Sequence, residues 1–201
     1  RPALENHRTD LIPALIAECD IDHTVPASTT FRGGRKAAEA CLQRFLADRL
    51  RRYARDKNEP SLHATSDLSP YLHYGHIGSL EIALAVREHA AAHKLIADEF
   101  LEELIVRREL AFNFARYTPR PESVELSLEI SLEVLPDWAR RTIDAHRNDT
   151  RDPVYSRAQF ETAATHDDLW NATQKELILR GKIHGYYRMF WGKKIIEWSA
   201  S

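Results

Sequence analysis

The chain has 201 residues, of which 43% are hydrophobic and 29% charged, a balance that supports a buried core and excludes a disordered polar chain. No apolar run approaches a membrane span, no signal-peptide pattern is present, and Cys19 and Cys41 show no Cys-x-x-Cys spacing, so neither a membrane nor a disulfide framework is expected and a reducing cytosolic setting fits. The net charge of -2 is unevenly spread: Arg32 to Lys57 holds nine Lys or Arg against three acids, while acids gather from Asp98 to Glu133, so one side of the molecule is suited to phosphate.

Residues 1 to 30 read as a leading helix around Leu11 to Ile16 and a polar connector, Asp20 to Thr30. Phe31-Arg32-Gly33-Gly34-Arg35 is a turn that opens a helix through Ala37, Ala38, Cys41, Leu42, Phe45, Leu46, Leu50 and Tyr53, with the basic row on its other face. The glycine pair lacks the strand, lysine and hydroxyl of a nucleotide-cradling loop. Lys57-Asn58-Glu59-Pro60 ends that helix.

Thr65, Ser66 and Ser69 then precede a helix that Ser69 is placed to cap and Pro70 to start, so hydroxyls and free backbone N–H groups converge on an anion site suited to a diphosphate. The bland alternative is an ordinary capped helix. After a turn at Gly78, a helix over Leu80 to Ala92 and a longer one over Ala97 to Tyr117 follow. On the second, Phe100, Glu103, Leu104, Arg107, Leu110, Ala111 and Phe114 form one stripe, with Glu103 and Arg107 spaced for an i,i+4 pair and Glu103 available to accept hydrogen bonds from a ligand's amides.

Thr118 to Pro136 reads as a proline-bearing, acid-rich connector, Asp137 to Ala145 as a short helix, and Arg147 to Pro153 as a charged loop. Thr165-His166-Asp167-Asp168 caps a helix carrying Trp170 that stops at Gly181. His184 to Trp198 forms a last helix in which Trp191 and Trp198, seven apart, share a face edged by Arg188 and Met189. No alternating strand pattern and no repeat occur, which predicts an all-α fold.

His73 with His76 and His89 with His93 have helix spacing for a metal pair but no third ligand nearby, so no metal is expected. No nucleophilic triad or dinucleotide fingerprint is present. The remaining parts, namely a hydroxyl-rich anion site, a carboxylate and tryptophans, suit a protein that holds an aromatic cofactor and lets it do the chemistry.

Four stretches, Thr65-Ser66-Asp67-Leu68-Ser69-Pro70-Tyr71-Leu72-His73-Tyr74-Gly75, Glu102 to Leu110, Thr165 to Ala172, and Gly181 to Trp198, together resemble the photolyase and cryptochrome family, best its class II cyclobutane pyrimidine dimer photolyases. The resemblance covers nearly all of residues 31 to 198. It implies an α-helical domain that binds FAD, active when reduced, with double-stranded DNA containing pyrimidine dimers as partner. It further implies that Tyr53, Thr65, Ser66, Leu68, Ser69 and Arg188 contact the flavin, and that Lys57, Asn58, Glu103, Tyr186 and Met189 contact a dimer flipped out of the duplex. Arg107 is assigned to lesion or flavin. Trp191, Trp170 and Trp198, in that order from flavin to surface, match a relay of electrons.

The lack of an initiator methionine and the end just after Trp198 lead to the expectation of a fragment: residues 1-30 as interdomain linker, residues 31-201 as a partial catalytic domain. Such a piece would lack the α/β domain for an antenna pigment and later flavin contacts, hold FAD weakly or not at all, and be inactive alone. A monomer located with the DNA, in cytoplasm, nucleoid or nucleus, is expected. The competing expectation is a cryptochrome-like photoreceptor or nucleic-acid-binding module without repair.

Overall fold

The structure, a computed structural model, describes residues 11–118 and 135–200. Most of the connector expected over Thr118 to Pro136 lies outside the described residues, as do residues 1–10. Among the described residues every regular element is helical, as the periodicity predicts.

The leading helix, α1 (Ile12–Ala17), buries nothing. Gly34, at φ 104°, turns the chain into α2 (Arg35–Arg44), and its N–H donates to His76 Nδ1 at 3.2 Å. Ala38, Cys41 and Leu42 of α2 face inward. The expected single helix then widens into a π-type turn, Phe45–Arg49, before a 3-10 turn, Leu50–Arg52, and α3 (Tyr53–Asp56). That wider turn brings Phe45 and Leu50, five residues apart, onto the same buried side.

Pro60–Leu62 is a short 3-10 turn, followed by α4 (Ser69–His73) and α5 (Ser79–His93), which closes at Lys94 in the left-handed conformation. The helix predicted from Ala97 runs as α6 (Asp98–Leu101), a second π-type stretch, Glu102–Arg107, and α7 (Arg108–Tyr117). Ile82, Val86 and Ala90 of α5 meet Phe45, Phe100 and Leu104 in a first core. Phe45, Tyr53 and Phe100 form an aromatic trio with centroids 4.6 to 5.8 Å apart.

The stripe expected along α6 and α7 is buried only in its first half. Phe100 and Leu104 are inside, whereas Leu110, Ala111 and Phe114 are exposed among the described residues.

A second core lies in the C-terminal part. After α8 (Asp137–Ala145), the short helix α9 (Arg157–Glu161) was not anticipated. It carries a capping box, Ser156 with Gln159, and that pair was the sequence signal for it. In α10 (Asp168–Arg180), Asp167 accepts from the Trp170 N–H at 2.8 Å, and Gly181 at φ 76° ends the helix as predicted. With α11 (Gly185–Trp198) these elements bury Phe160, Trp170 and Trp198, flanked by Tyr155, Phe190 and Trp191.

The connector before α2 is docked against α10. Ser28 Oγ donates to the Arg180 carbonyl at 2.5 Å, and Thr29 N–H and Oγ1 both donate to the Leu179 carbonyl, at 3.0 and 3.1 Å.

Candidate functional site

The hydroxyl-rich stretch is organised by a residue the sequence reading passed over. Asp67 sits in the left-handed region at φ 61°, a conformation that aspartate tolerates better than most residues. Its carboxylate accepts from Arg49 Nη1 at 2.6 Å, from Lys182 Nζ at 2.5 Å and from Thr65 Oγ1 at 3.4 Å. Burial pushes this carboxyl up, but Lys182 and Arg49 outweigh burial and hold it below the usual carboxylate range. One carboxylate thus joins the π-type turn after α2, the hydroxyl loop and the approach to α11. The signal was a lone acid amid hydroxyls, but its cationic partners lie 18 and 115 residues away.

The expected cap by Ser69 does not form. Ser69 is the first residue of α4 with no side-chain cap bond at its start, and it is Ser66 Oγ that accepts the Leu68 N–H, at 3.3 Å. The Ser69 hydroxyl faces outward, whereas the Leu68 side chain, assigned by resemblance to the flavin, is buried in the first core. Tyr53 likewise packs into the aromatic trio rather than into the cavity described next.

Thr65 and Asp67 form one wall of a cavity of about 290 Å³, with Phe31, Arg180, Lys182, His184 and Tyr187 opposite and around them. His184 Nδ1 accepts the Tyr186 N–H at 3.1 Å as the cap of α11, which leaves the proton of the neutral ring on Nε2. That Nε2 is buried without a hydrogen-bond partner among the described residues. Burial first, and then the Lys182 charge, lower the His184 pKa and favour this neutral form.

The cavity therefore offers the Thr65 hydroxyl and two cations to an acceptor-rich ligand, Arg180 paired with Glu176 and Lys182 with Asp67 in the same lining. It lies at the lower edge of the roughly 300–1,000 Å³ typical of small-molecule sites, which is room for part of FAD rather than all of it. The donors fit a phosphate or ribose oxygen.

Along α11, Tyr187 and Trp191 lie one turn apart. The Trp191 ring stacks on Trp170 of α10, centroids 5.2 Å apart and planes at 24°. Trp198 lies in the same cluster, 3% exposed, so among the described residues the expected outermost tryptophan is covered rather than at the surface. The residues that cover it are Tyr155 and His166. Arg188, Tyr186 and Met189 are exposed on α11, and Arg188 has no ion-pair partner among the described residues.

The predicted Glu103–Arg107 pair is not formed. Arg107 Nη2 contacts Glu102 at 3.1 Å, because the π-type stretch Glu102–Arg107 sets residues five apart, not four, above one another. Glu103, about half exposed rather than buried, turns to Lys57 Nζ at 3.3 Å, and Glu99 joins it at 3.0 Å. Lys57 and Glu103, two of the predicted lesion contacts, are thus brought together, with Asn58 exposed beside them. Because both carboxylates are solvated, Lys57→Met is expected to lower stability by less than about 1 kcal/mol, read from the urea midpoint at constant slope.

His89 and His93 approach to 4.2 Å between ring centroids, but no group of three metal-ligating side chains is gathered among the described residues. Nor is any helix there long and apolar enough to cross a membrane.

No protein-family model matches the chain. Comparison with curated proteins does find relatives. A deoxyribodipyrimidine photo-lyase of Methanothermobacter thermautotrophicus is 43% identical over 171 residues, 85% of this chain and 36% of the relative. One from Oryza sativa subsp. japonica is 44% identical over 193 residues, 93% of this chain and 37% of the relative. One from Potorous tridactylus is 37% identical over 185 residues, 92% of this chain and 33% of the relative. The chain spans about a third of the length of these relatives. With 37–44% identity to these photo-lyases over 85–93% of its own length, and with only helices among the described residues, the chain belongs to the photolyase family.

Proposed function

We propose that this chain is the flavin- and DNA-binding part of a light-driven DNA repair enzyme, a class II photolyase acting on cyclobutane pyrimidine dimers. The Trp170–Trp191 stack carries the reading, since two indoles at 5.2 Å give a short electron path that core packing alone does not require. When bound, reduced FAD supplies light absorption and a one-electron transfer to the dimer.

The residues of the chain do the holding and placing. Thr65 offers its hydroxyl to the diphosphate in a cavity that Lys182 and His184 also line, with Ser66 and Ser69 next to it in the loop. Arg188 stands for the flavin ring, with Tyr53 and Leu68 supporting the loop from the core. Lys57, Asn58, Glu103, Tyr186 and Met189, with Arg107, form the lesion side. The Arg32 to Lys57 basic row attracts the DNA backbone. Residues 31–201 act in this reading as one catalytic region, with any antenna pigment held outside it.

The test titrates FAD into the chain by flavin fluorescence and measures blue-light reversal of thymine dimers, on this chain and on the chain extended to the relatives' length. Saturable flavin uptake with reversal in the extended form is expected. Flavin uptake without reversal would leave a photoreceptor-like role, and no uptake in either form would overturn the reading. In the flavin-loaded form, Trp191→Phe is expected to abolish photoreduction of oxidised flavin while sparing repair by flavin already reduced.

A further inference from the structure

We propose that the Asp67 carboxylate is a built-in competitor for a phosphoryl group at the cavity, which must draw Lys182 and the Thr65 hydroxyl away from Asp67 in order to bind. The geometry converges on one atom. Lys182 Nζ, at 2.5 Å, and Thr65 Oγ1, at 3.4 Å, both donate to Asp67 Oδ1, and all three residues line the cavity. An ammonium and a hydroxyl are donors that a phosphate oxygen takes, so Oδ1 already stands where two of them meet. The hydroxyl contact is long, which leaves it easy to redirect.

The lysine and the arginine of the lining are both already matched. Lys182 is held by Asp67, and Arg180 by Glu176, whose carboxylate accepts from Nη1 at 2.9 Å and belongs to the same lining. His184 adds no cation, since burial first and then the Lys182 charge favour its neutral form. A phosphoryl anion entering here meets two carboxylates beside two cations, at separations where like charges repel strongly. Its entry therefore requires that an ion pair be exchanged.

Two observations decide which partner moves. Asp67 is fixed from behind, because Arg49 Nη1, outside the lining, donates to Oδ2 at 2.6 Å and to the Thr65 carbonyl at 2.8 Å. Lys182 instead follows Gly181 and ends a flexible four-carbon stem with three rotatable donors. When Lys182 turns to a phosphate, Asp67 keeps Arg49 and is not left as an unpaired charge, so the exchange avoids the main penalty of breaking such a pair. Lys182 swings and Asp67 stays.

Anion occupancy and the Lys182–Asp67 contact are thus mutually exclusive, and every phosphoryl ligand has to outcompete a carboxylate that is always at hand. In the flavin reading that phosphoryl group belongs to the dinucleotide, so the identity of the ligand rests on the proposed function above. The exchange itself does not.

The experiment is calorimetric titration of inorganic pyrophosphate into the full chain at neutral pH and fixed ionic strength, because salt screens such contacts. Asp67→Asn tolerates the left-handed backbone and lacks the charge, and it is expected to bind pyrophosphate about tenfold more tightly than the parent. Adding Lys182→Met to it is expected to remove that gain. Asp67→Gly, which accepts a φ of 61° without strain, gives the same comparison where circular dichroism shows the asparagine variant unfolded. Equal or weaker binding on loss of the carboxylate, or a gain that survives Lys182→Met, would overturn the proposal. FAD titrated in parallel separates it from the flavin reading. A pyrophosphate gain in a chain that takes up no FAD would sustain the exchange, with free polyphosphate as the ligand, while sinking the flavin reading, and FAD uptake without any pyrophosphate gain would do the reverse.

Discussion

Trp170→Ala is expected to lower the stability of the chain by about 3–5 kcal/mol, the cost of emptying a large aromatic site whose walls relax only in part. Trp170 is 1% exposed and wedged between Phe160, at 5.0 Å, and Trp191, at 5.2 Å, so the second core loses its central contact at a stroke. Trp170→Phe is expected to cost less, because it keeps an aromatic ring there and removes an indole N–H that has no acceptor among the described residues. Urea unfolding followed by circular dichroism reads both values. A change for Trp170→Ala under about 1 kcal/mol would mean that the two helices do not depend on this wedge.

Asp67→Ala is the second large effect, expected at about 2–3 kcal/mol. This is below the 3–5 kcal/mol for breaking a fully buried ion pair, because the Asp67 side chain keeps 32% of its exposure. Two costs combine. Arg49 and Lys182 lose their shared carboxylate, and alanine must hold a φ of 61° that disfavours a plain Cβ. Asp67→Asn separates them, since asparagine tolerates the backbone and lacks the charge.

The pH dependence has a definite sign. A carboxyl lowered in the folded state stabilises fully above its unfolded pKa of about 3.9 and loses that contribution as pH falls through the lower folded value. Thermal midpoints are therefore expected to fall less steeply in Asp67→Asn than in the parent below about pH 4.

The fold was largely legible because most helices here announce themselves locally. The stop at Gly181, the Asp167 cap and the apolar spacing of α2 each belong to one short window of sequence. What escaped was long-range or out of phase. The Glu103–Arg107 pair assumed an α-helical rise, and a single wider turn moved Arg107 to Glu102 and freed Glu103 for Lys57. Asp67 draws its partners from the π-type turn after α2 and from the turn before α11, which no window contains. Of the site, Trp191 and Trp198 were placed on one helix by spacing, but the stack of Trp191 on Trp170 requires the packing of α10 on α11 and was reachable only through resemblance.

The docking of residues 28–30 on the last turn of α10 changes how the N-terminal segment transmits force. A polar connector reads as slack rope, yet its final three residues are tied by Ser28 and Thr29 to the carbonyls of Arg180 and Leu179, and Arg180 Nε reaches back to Thr30 Oγ1 at 3.1 Å. Tension applied upstream of Ser28 is thus delivered sideways to the C-terminal end of the tryptophan-bearing helix before it reaches α2. The load path runs past the wall of the cavity, so a pull on one end of the chain is felt first where Arg180 and Lys182 stand.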